Sequence, residues 1–334
     1  MDRLGFFKQG LSSVLDAASS IIGLKKAADS FVEVVDEALS NIKTDIGFHL
    51  PSIDSAIYAG GASVLGNLAA IGYSTIEVGT YKDGKLHYKT PEELKELARK
   101  ANIKITAAHL NHLLTEVETT KEESNKKDSE KGDKETEEAV KSDVVESTAE
   151  EFVMNEEDKE CWLNAMSICK DLGCKYVTMA QFPENPDQAT VARYAKYFDA
   201  IGEMAAKQGI KFCFHPTTAE LTTSDEATSV FEMLAEQSDK DKVWFEIDTF
   251  EATEAAIDVC KLLEQHDKRV LLLHLHDYGV AGDSGRIDFD SIIKEGIKRG
   301  VADIFVEVRD FHLPAMNCVE RSYYYVDTLP SIRY

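Results

Sequence analysis

The chain has 334 residues and a formal net charge of −23, with 37 Lys and Arg against 60 Asp and Glu. This length fits one large α/β domain with additions, or two smaller domains, and a hydrophobic content of 43% can build a core. The negative charge argues against nucleic acid or an anionic membrane as the main partner, because both are bound by clustered Lys and Arg. No apolar run approaches the roughly 20 residues that span a bilayer.

Residues 1–43 are predicted to form two amphipathic helices ahead of the main domain. Apolar residues recur at helical spacing from Phe7 to Ile22, and again from Phe31 to Ile42. Their apolar faces must dock on the main domain, on a second subunit or on another partner. A homo-oligomer assembled through these helices is therefore one expected arrangement.

The six cysteines favour a reducing compartment. None belongs to a CxxC pair, and several lie in apolar runs, as Cys213 does. Buried reduced thiols are expected rather than disulfides or a thiolate metal site. The expected location of the protein is therefore the cytoplasm.

From residue 44 onward, strand-like and helix-like patterns alternate. Eight apolar, strand-like runs begin near Asp45, Tyr73, Ile103, Lys175, Ile210, Val243, Val270 and Asp303. Helix patterns lie between them, and the one after Thr90 has a good N-cap, Pro91 at the first helical position and Glu93 to complete a capping box. Eight such units predict a (β/α)₈ TIM barrel over residues 44–334. A doubly wound sheet is the alternative, but the glycine-rich turn that usually follows its first strand is missing after His49.

One interval, between the third and fourth strands, is about twice as long as the others. Its excess is residues 116–151, a segment of 36 residues with 14 Asp and Glu, 6 Lys and no aromatic residue. Such a segment cannot bury enough apolar surface to offset the entropy of ordering. We expect a disordered or loosely helical acidic insertion.

In a β/α barrel the active site lies at the carboxyl ends of the strands. The polar residues at or just past those ends are His49, Glu77, His109, His112, Gln181, His215, Glu220, Asp248, His274, His276, Asp277, Glu307, Arg309, Asp310 and His312. Seven of the nine histidines are in this set, and only His87 and His266 lie elsewhere. The concentration on one rim predicts a functional site there. The polar loop 279–286 beyond the seventh strand would contact substrate hydroxyls or a phosphate, or serve only as a turn.

Asp248, His274 and Glu307 stand on three successive strands and form the most specific constellation. Two carboxylates and one imidazole from neighbouring strands can converge on a divalent cation, and mixed oxygen and nitrogen ligation suits Mn²⁺, Zn²⁺, Co²⁺ or Mg²⁺. The alternative is that Asp248 and Glu307 pair with rim cations such as Arg309 and bind no metal.

These residues lie within segments that carry a family resemblance. The segments are GYSTIE (72–77), AH (108–109), LGCKYV (172–177), GIKFCFH (209–215), FEID (245–248), LHLHD (273–277), GRIDF (285–289) and FVE (305–307). In this order and spacing, the sequence resembles the xylose isomerase-like TIM-barrel superfamily, specifically the sugar phosphate isomerase/epimerase group that also includes inosose dehydratase. The resemblance runs from about residue 45 to 326 and leaves out residues 1–43 and 116–151.

The resemblance implies a divalent metal held by Asp248, His274 and Glu307. Many members take a fourth ligand, a glutamate, from the fourth or fifth strand, and this sequence departs from that pattern. The fourth strand offers Gln181 and the fifth offers His215. We expect His215 close to the metal and Gln181 as a weak ligand or a substrate contact.

The reaction implied by the resemblance is isomerisation or epimerisation of a sugar or polyol, possibly phosphorylated, by proton abstraction next to a carbonyl through an enediolate. Glu307 is the expected base, and His109 or His215 the group on the opposite face, since histidine titrates near neutral pH. The expected substrate contacts are Glu77, Gln181, His276 and Arg309.

Other function classes stay open. The missing glutamate at the fifth strand leaves room for a dehydratase or lyase of the inosose dehydratase type. It also leaves room for a barrel that has lost catalysis and acts as a binding protein. A metal-dependent nuclease on the same barrel is disfavoured, because the chain is strongly acidic and lacks a ligand at the fourth strand.

Overall fold

The protein is described here by a computed structural model that covers residues 44–115, 152–223 and 228–333, without the side chains of residues 58–61. The two helices predicted within residues 1–43 and the acidic insertion predicted at 116–151 lie outside the described residues.

Eight parallel strands close into a barrel. They are β1 (Ile46–His49), β2 (Thr75–Val78), β3 (Lys104–His109), β4 (Tyr176–Met179), β5 (Lys211–Phe214), β6 (Val243–Asp248), β7 (Val270–His276) and β8 (Asp303–Glu307). Each strand pairs with its neighbours in the chain, and β1 closes the barrel on β8, with Gly47 opposite Phe305. All eight predicted strands are therefore confirmed, and the doubly wound alternative is wrong.

Helices follow the strands. They are α1 (Asp54–Ile71), α2 (Pro91–Ala101), α3 (Glu156–Leu172), α4 (Gln188–Lys207), α5 (Thr218–Leu221), α6 (Val230–Gln237), α7 (Thr249–Glu254), α8 (Val259–Gln265), α9 (Phe289–Arg299) and α10 (Ala315–Thr328). Short 3₁₀ turns occupy Leu50–Ile53 and Pro330–Arg333, and a hairpin of Tyr81–Lys82 and Lys85–Leu86 follows β2. The capping box expected at the start of α2 is present, with Thr90 as N-cap.

The strands are buried on both faces, as parallel strands covered by helices must be. Most of the buried apolar residues pack in one large cluster that the strands share with the surrounding helices. A second apolar cluster is small, and it consists of Ala107, Tyr176, Cys213, Leu271, Leu272 and Phe305, with Trp244 packed against it. The interior is tight at β1, where a Cβ on Gly47 would lie only 2.5 Å from the Phe305 ring and 2.6 Å from Thr75 Oγ1. Glycine at this position is what allows β1 to approach its neighbours.

The position of the small apolar cluster indicates which strand-end side chains point to the same side of the strands as that cluster. Side chains two residues apart on a strand share a face. His109, His215, His274 and Glu307 each follow a member of the small cluster by two residues. The apolar layer thus supports a polar layer immediately above it, at the carboxyl ends of the strands.

All six cysteines lie within the described residues, where they are free thiols and four of them are buried. Among the helices that the structure describes, none combines the length and the apolar character needed to cross a bilayer.

Candidate metal centre

Five histidines and four carboxylates from seven strand ends meet at the carboxyl rim of the barrel. They are His49, Glu77, His109, His215, Glu246, Asp248, His274, His276 and Glu307. Every one is at least nine-tenths buried, with exposures between 0% and 9%. Buried groups of this kind are normally paired with each other or bound to a metal, because isolated charges are costly to desolvate.

His274 is at the centre of this polar layer. Its Nδ1 lies 2.7 Å from Glu307 Oε2, and its Nε2 lies 2.8 Å from Glu77 Oε2 and 3.1 Å from Glu246 Oε1. The rings of His49 and His215 are centred 4.6 and 4.9 Å from the His274 ring. Both nitrogens of one imidazole therefore face carboxylates.

His274 forms an Asp–His–Glu triad with Asp248 and with Glu307, which lies at its Nδ1. Each of the three offers a ligand atom within 4.8 Å of the others. Asp248 Oδ1 accepts hydrogen bonds from the backbone N–H groups of Phe250 and Glu251 and so caps α7. Glu307 Oε1 accepts a hydrogen bond from Arg309 Nε. These contacts hold both carboxylates in place while each keeps an oxygen towards its neighbours.

On the Nε2 side lies a histidine–glutamate cluster of His49, Glu77, His109, His215 and Glu246. Glu77 Oε2 lies 2.6 Å from His49 Nδ1, and Glu246 Oε2 lies 2.9 Å from His109 Nε2 and 3.4 Å from His215 Nδ1. Among the described residues, Glu77 Oε1 and Glu246 Oε1 have no well-oriented hydrogen-bond partner. Two overlapping groups here, which share His109 and His274, also bring ligand atoms within 4.8 Å of one another.

The charges in the layer shift one another's pKa values. Burial disfavours the charged form of His274, but Glu246 and Glu77 raise its pKa well above the ordinary value. Burial likewise opposes the charge on His109, but the same two glutamates raise its pKa. Burial would raise the pKa of Glu307, yet the neighbouring His49 and His274 hold it well below its usual range. Without a metal, the carboxylates thus favour the protonated forms of His109 and His274, whereas burial lowers the pKa of His49.

The predicted metal ligands fall into two groups. Asp248, His274 and Glu307 lie together in the triad, whereas His215 lies among His109 and Glu246. The structure thus brings three of the four predicted ligands into one group and places the fourth on the other side of the His274 ring.

The predicted substrate contacts are spread more widely. Glu77 lies in the histidine–glutamate cluster, and His276 Nδ1 lies 2.9 Å from Asp248 Oδ2. Arg309 pairs with Glu307, as the no-metal alternative expected, and also lies 3.5 Å from Glu251 Oε1. Gln181 is exposed and lies outside the polar layer, where it lines a groove.

Some strand-end residues have other partners. Glu220 Oε2 accepts a hydrogen bond from the backbone N–H of Thr217 and so caps α5. His112 Nε2 lies 2.7 Å from Asp158 Oδ1, and His312 is half exposed. These residues follow strand ends in the sequence without joining the polar layer.

Glu246 belongs to the layer although it was not among the predicted rim residues, and His49, which was among them, had been given no role in the site. Both carried a signal, because His49 ends the first strand and Glu246 shares a face with Asp248 two residues later. Their contacts with His109 and Glu77 join side chains from different strands. Such cross-barrel contacts depend on the closed register of the barrel.

A closed parallel barrel with buried histidines and carboxylates at its carboxyl rim defines a TIM-barrel protein with a site suited to a divalent metal. Residues 65–322 match the family described as xylose isomerase-like TIM barrel, and the chain belongs to that family. No match was found among curated protein sequences.

Solved structures show the same fold. A sugar phosphate isomerase/epimerase from Parabacteroides distasonis superposes with a TM-score of 0.71 at 20% identity, covering 87% of this chain and 96% of that chain. A D-psicose 3-epimerase studied in the presence of D-fructose has a TM-score of 0.57 at 13% identity, covering 85% of this chain and 97% of that chain. The IolI protein, solved with a zinc atom bound, has a TM-score of 0.56 at 14% identity, covering 88% and 99%. At these identities the likeness concerns the fold.

Proposed function

We propose that the protein is a divalent-metal-dependent isomerase or epimerase that moves a proton on a carbon next to the carbonyl of a sugar or polyol. The observation that carries the proposal is the buried triad of Asp248, His274 and Glu307 on three successive strands. The names of the structural neighbours support it, since they include a sugar phosphate isomerase/epimerase and a D-psicose 3-epimerase. The zinc atom in the IolI structure supports a metal in this fold.

The donor set fits a divalent cation. Two carboxylates and one imidazole suit Mn²⁺, Zn²⁺, Co²⁺ or Mg²⁺, and the buried oxygens without a good partner on Glu77 and Glu246 show that the layer has excess acceptors. Asp248, Glu307 and His274 Nδ1 would hold the ion, with His215 as a candidate fourth ligand. A bound cation would polarise the carbonyl and hydroxyl oxygens of the sugar.

The two glutamates behind His274 fix its tautomer in this arrangement. If Nδ1 faces the ion, the ring proton is on Nε2, where Glu77 Oε2 at 2.8 Å can accept it and the charged Glu246 Oε1 lies 3.1 Å away. Histidine ligands of metals commonly donate their other N–H to a carboxylate, which orients the ring and increases its basicity.

Glu307 and His109 are placed for proton transfer from different sides. Glu307 lies on the Nδ1 side of His274, and its low pKa keeps it a carboxylate that can accept a proton. His109 lies on the Nε2 side, where Glu77 and Glu246 raise its pKa and so favour the protonated ring. His215, whose ring is centred 5.4 Å from that of His109, is the second candidate donor. The proposed chemistry needs a general base and a general acid, and Glu307 and His109 would take these two roles.

The first experiment is metal analysis of the purified protein and of His274→Ala. About one Mn, Zn, Co or Mg per chain is expected in wild type and none in the variant. If wild type holds no metal and takes up none on addition of divalent ions, the proposed centre does not exist.

The second experiment follows the proton. Wild type and Glu307→Gln are incubated with keto-sugars and inososes in D₂O, and deuterium at the carbon next to the carbonyl is measured by NMR. Wild type should exchange that hydrogen with at least one substrate, whereas Glu307→Gln should lose the exchange while retaining its fold. Glu264→Gln, an exposed substitution of the same kind, serves as the control. Exchange that persists in Glu307→Gln would remove Glu307 from the role of base.

A further inference from the structure

A groove opens beside the polar layer, between the carboxyl ends of β4 and β5. Its volume is about 1330 Å³, and its inner edge includes Ala180, which follows β4, and Thr217. Thr217 is two residues beyond His215, so their Cα atoms are at most about 7.6 Å apart. We refer to this space as the β4–β5 groove. Its size exceeds the roughly 300–1,000 Å³ typical of pockets for drug-sized ligands.

The walls of the β4–β5 groove combine polar and apolar residues, and their charged side chains are acidic. Among the residues that line it in the described part of the chain, none is Lys, Arg or His, whereas four are Asp or Glu. The carboxylates are Glu184, Asp187, Glu220 and Glu236. A phosphate in this groove would meet like charge with no cation to balance it.

Three helices begin at the groove, and helix N-termini often bind anions. Here the chain's own side chains cap them. Asp187 accepts a hydrogen bond from the N–H of Thr190 at the start of α4, and Glu220 accepts one from Thr217 at the start of α5. Ser229 caps α6. Two of the three caps are carboxylates, and the hydrogen bonds from Thr190 lower the pKa of Asp187, so this cap stays charged.

Two groups near the metal centre that could clamp a phosphate, Arg309 and the loop after β7, are also engaged. Arg309 is paired with Glu307 and lies 3.5 Å from Glu251. In the loop after β7, the N–H groups of Gly282 and Ser284 donate to Asp277 Oδ2. The loop's backbone donors therefore bind the chain itself, which favours the interpretation of this loop as a turn.

What the groove does offer suits sugar hydroxyls. Gln181, Asn185 and Gln188 present amides that can both donate and accept, and the carboxylates accept. The half-buried ring of Phe182, which packs on Tyr194 with centroids 4.8 Å apart, gives an apolar wall. Neutral saccharides present hydroxyl edges and apolar faces, which match such walls.

We propose that the β4–β5 groove binds the second ring of a neutral, unphosphorylated glycoside whose first ring reaches the metal centre. The proposal rests on the proposed function and specifies its substrate class. It differs from the phosphorylated sugar that the name of the Parabacteroides distasonis structure suggests.

The test is binding, measured on the full chain. Glu307→Gln, which should bind without turnover, is screened on an array of neutral mono- and disaccharides with their phosphorylated counterparts. Affinities of the hits are then measured by calorimetry. At least one neutral disaccharide should bind about tenfold more tightly than its constituent monosaccharide, a difference of about 1.4 kcal/mol. The phosphorylated counterpart should bind more weakly.

A variant that fills the groove tests its location. Gln188→Trp, at an exposed position of the groove wall, should abolish the disaccharide preference. Ile297→Trp, at an exposed position on α9, should leave it unchanged. If Gln188→Trp does not fold, as judged by circular dichroism, Glu184→Trp on the loop after β4 replaces it.

The proposal is overturned if no neutral disaccharide binds more tightly than its monosaccharide, or if a sugar phosphate binds more tightly than the unphosphorylated sugar. Its failure is distinguishable from failure of the proposed function. Binding in Glu307→Gln needs no turnover, so it can persist when isotope exchange fails. Exchange of a monosaccharide can likewise persist when the groove binds nothing.

Discussion

Glu246 lies two residues before Asp248 and performs a different task from it. Its Oε1 lies 3.1 Å from His274 Nε2 and its Oε2 lies 2.9 Å from His109 Nε2, while its side chain is fully buried. It thus orients His274 from behind, with Glu77, and its negative charge makes the imidazole more electron-rich.

Replacement of Glu246 by Gln should therefore weaken metal binding. Loss of the charge behind His274 is expected to lower the affinity for the ion about 10- to 100-fold, measured by competition with a chelator of known affinity. Glu264→Gln at the surface should leave the affinity unchanged. Unchanged affinity in Glu246→Gln would show that Glu246 does not act through His274, and complete loss of the ion would place the metal on the Nε2 side of the ring.

His87 is a buried histidine outside the metal centre. It directly follows the hairpin after β2, and its ring is completely buried. Its Nε2 lies 3.1 Å from Oδ1 of Asp54, the first residue of α1. Burial lowers the pKa of His87 to about 4, against about 6.5 in an unfolded chain. Between these values the unfolded state binds more protons than the folded state, so this residue makes stability increase with pH.

The stabilising effect of a neutral His87 should be complete above about pH 6.5 and should be lost as the pH falls towards 4. The expected slope is about 1.4 kcal/mol per pH unit. Other groups titrate in this range, so the test compares wild type with His87→Asn by urea unfolding at pH 8 and pH 5. The loss of stability between the two pH values should be smaller in the variant by about 2 kcal/mol. Equal losses in the two proteins would show that His87 is protonated in the folded state.

At the scale of single elements, α2 illustrates how local sequence determines a boundary. Thr90 Oγ1 accepts a hydrogen bond from the N–H of Glu93, and Glu93 Oε2 accepts one from the N–H of Thr90. The capping box satisfies two N–H groups that the helix itself cannot.

Thr90→Ala should lower the free energy of unfolding by about 1 kcal/mol, measured by urea denaturation. Lys95→Ala, at an exposed position inside the helix, should change it by less than about 0.5 kcal/mol. A loss of stability in both variants alike would argue against the cap.

The strands were predictable because their signal is local. Runs such as VLLLHLH at 270–276 are apolar on both faces and end in polar groups, which is typical of a parallel barrel strand. The triad was predictable for the same reason, since Asp248, His274 and Glu307 each end or nearly end such a strand. The short rim helices α5 and α7 were not, because they have only four and six residues, too few for a periodic pattern.

The partners of the strand-end side chains could not be predicted from the sequence. Glu77 and His274 are 197 residues apart and meet at 2.8 Å, and this contact depends on strand stagger and barrel closure. His112 and His312 also follow strand ends in the sequence, and for that reason they were expected at the rim site. The structure places them elsewhere, with His112 against Asp158 and His312 against Asp283. A rule about strand ends identifies the rim, whereas the direction of each side chain follows from the register.

Across the whole molecule, the polar layer concentrates charge where the fold can least hydrate it. Glu77, Glu246, Asp248 and Glu307 are each no more than 1% exposed, and they lie above an apolar interior. Protonated imidazoles offset part of this charge in the metal-free chain, since the pKa values of His109 and His274 are raised. A divalent ion would offset it without requiring protons, so metal binding should be coupled to the stability of the barrel.

Removal of the metal should therefore lower the melting temperature of the full chain. A ligand that binds only the folded state stabilises it by about 2.7 kcal/mol at 100 times its dissociation constant, which corresponds to roughly 4 °C for a chain of this size. Thermal unfolding followed by circular dichroism compares the chelator-treated protein with the same sample reloaded with Mn²⁺ or Zn²⁺. Asp248→Asn, which removes one charge from the triad, should lose most of the difference, whereas Glu264→Gln should retain it. If the melting temperatures with and without metal coincide in wild type, the buried layer is neutralised by its own histidines, and the carboxylates do not require an ion.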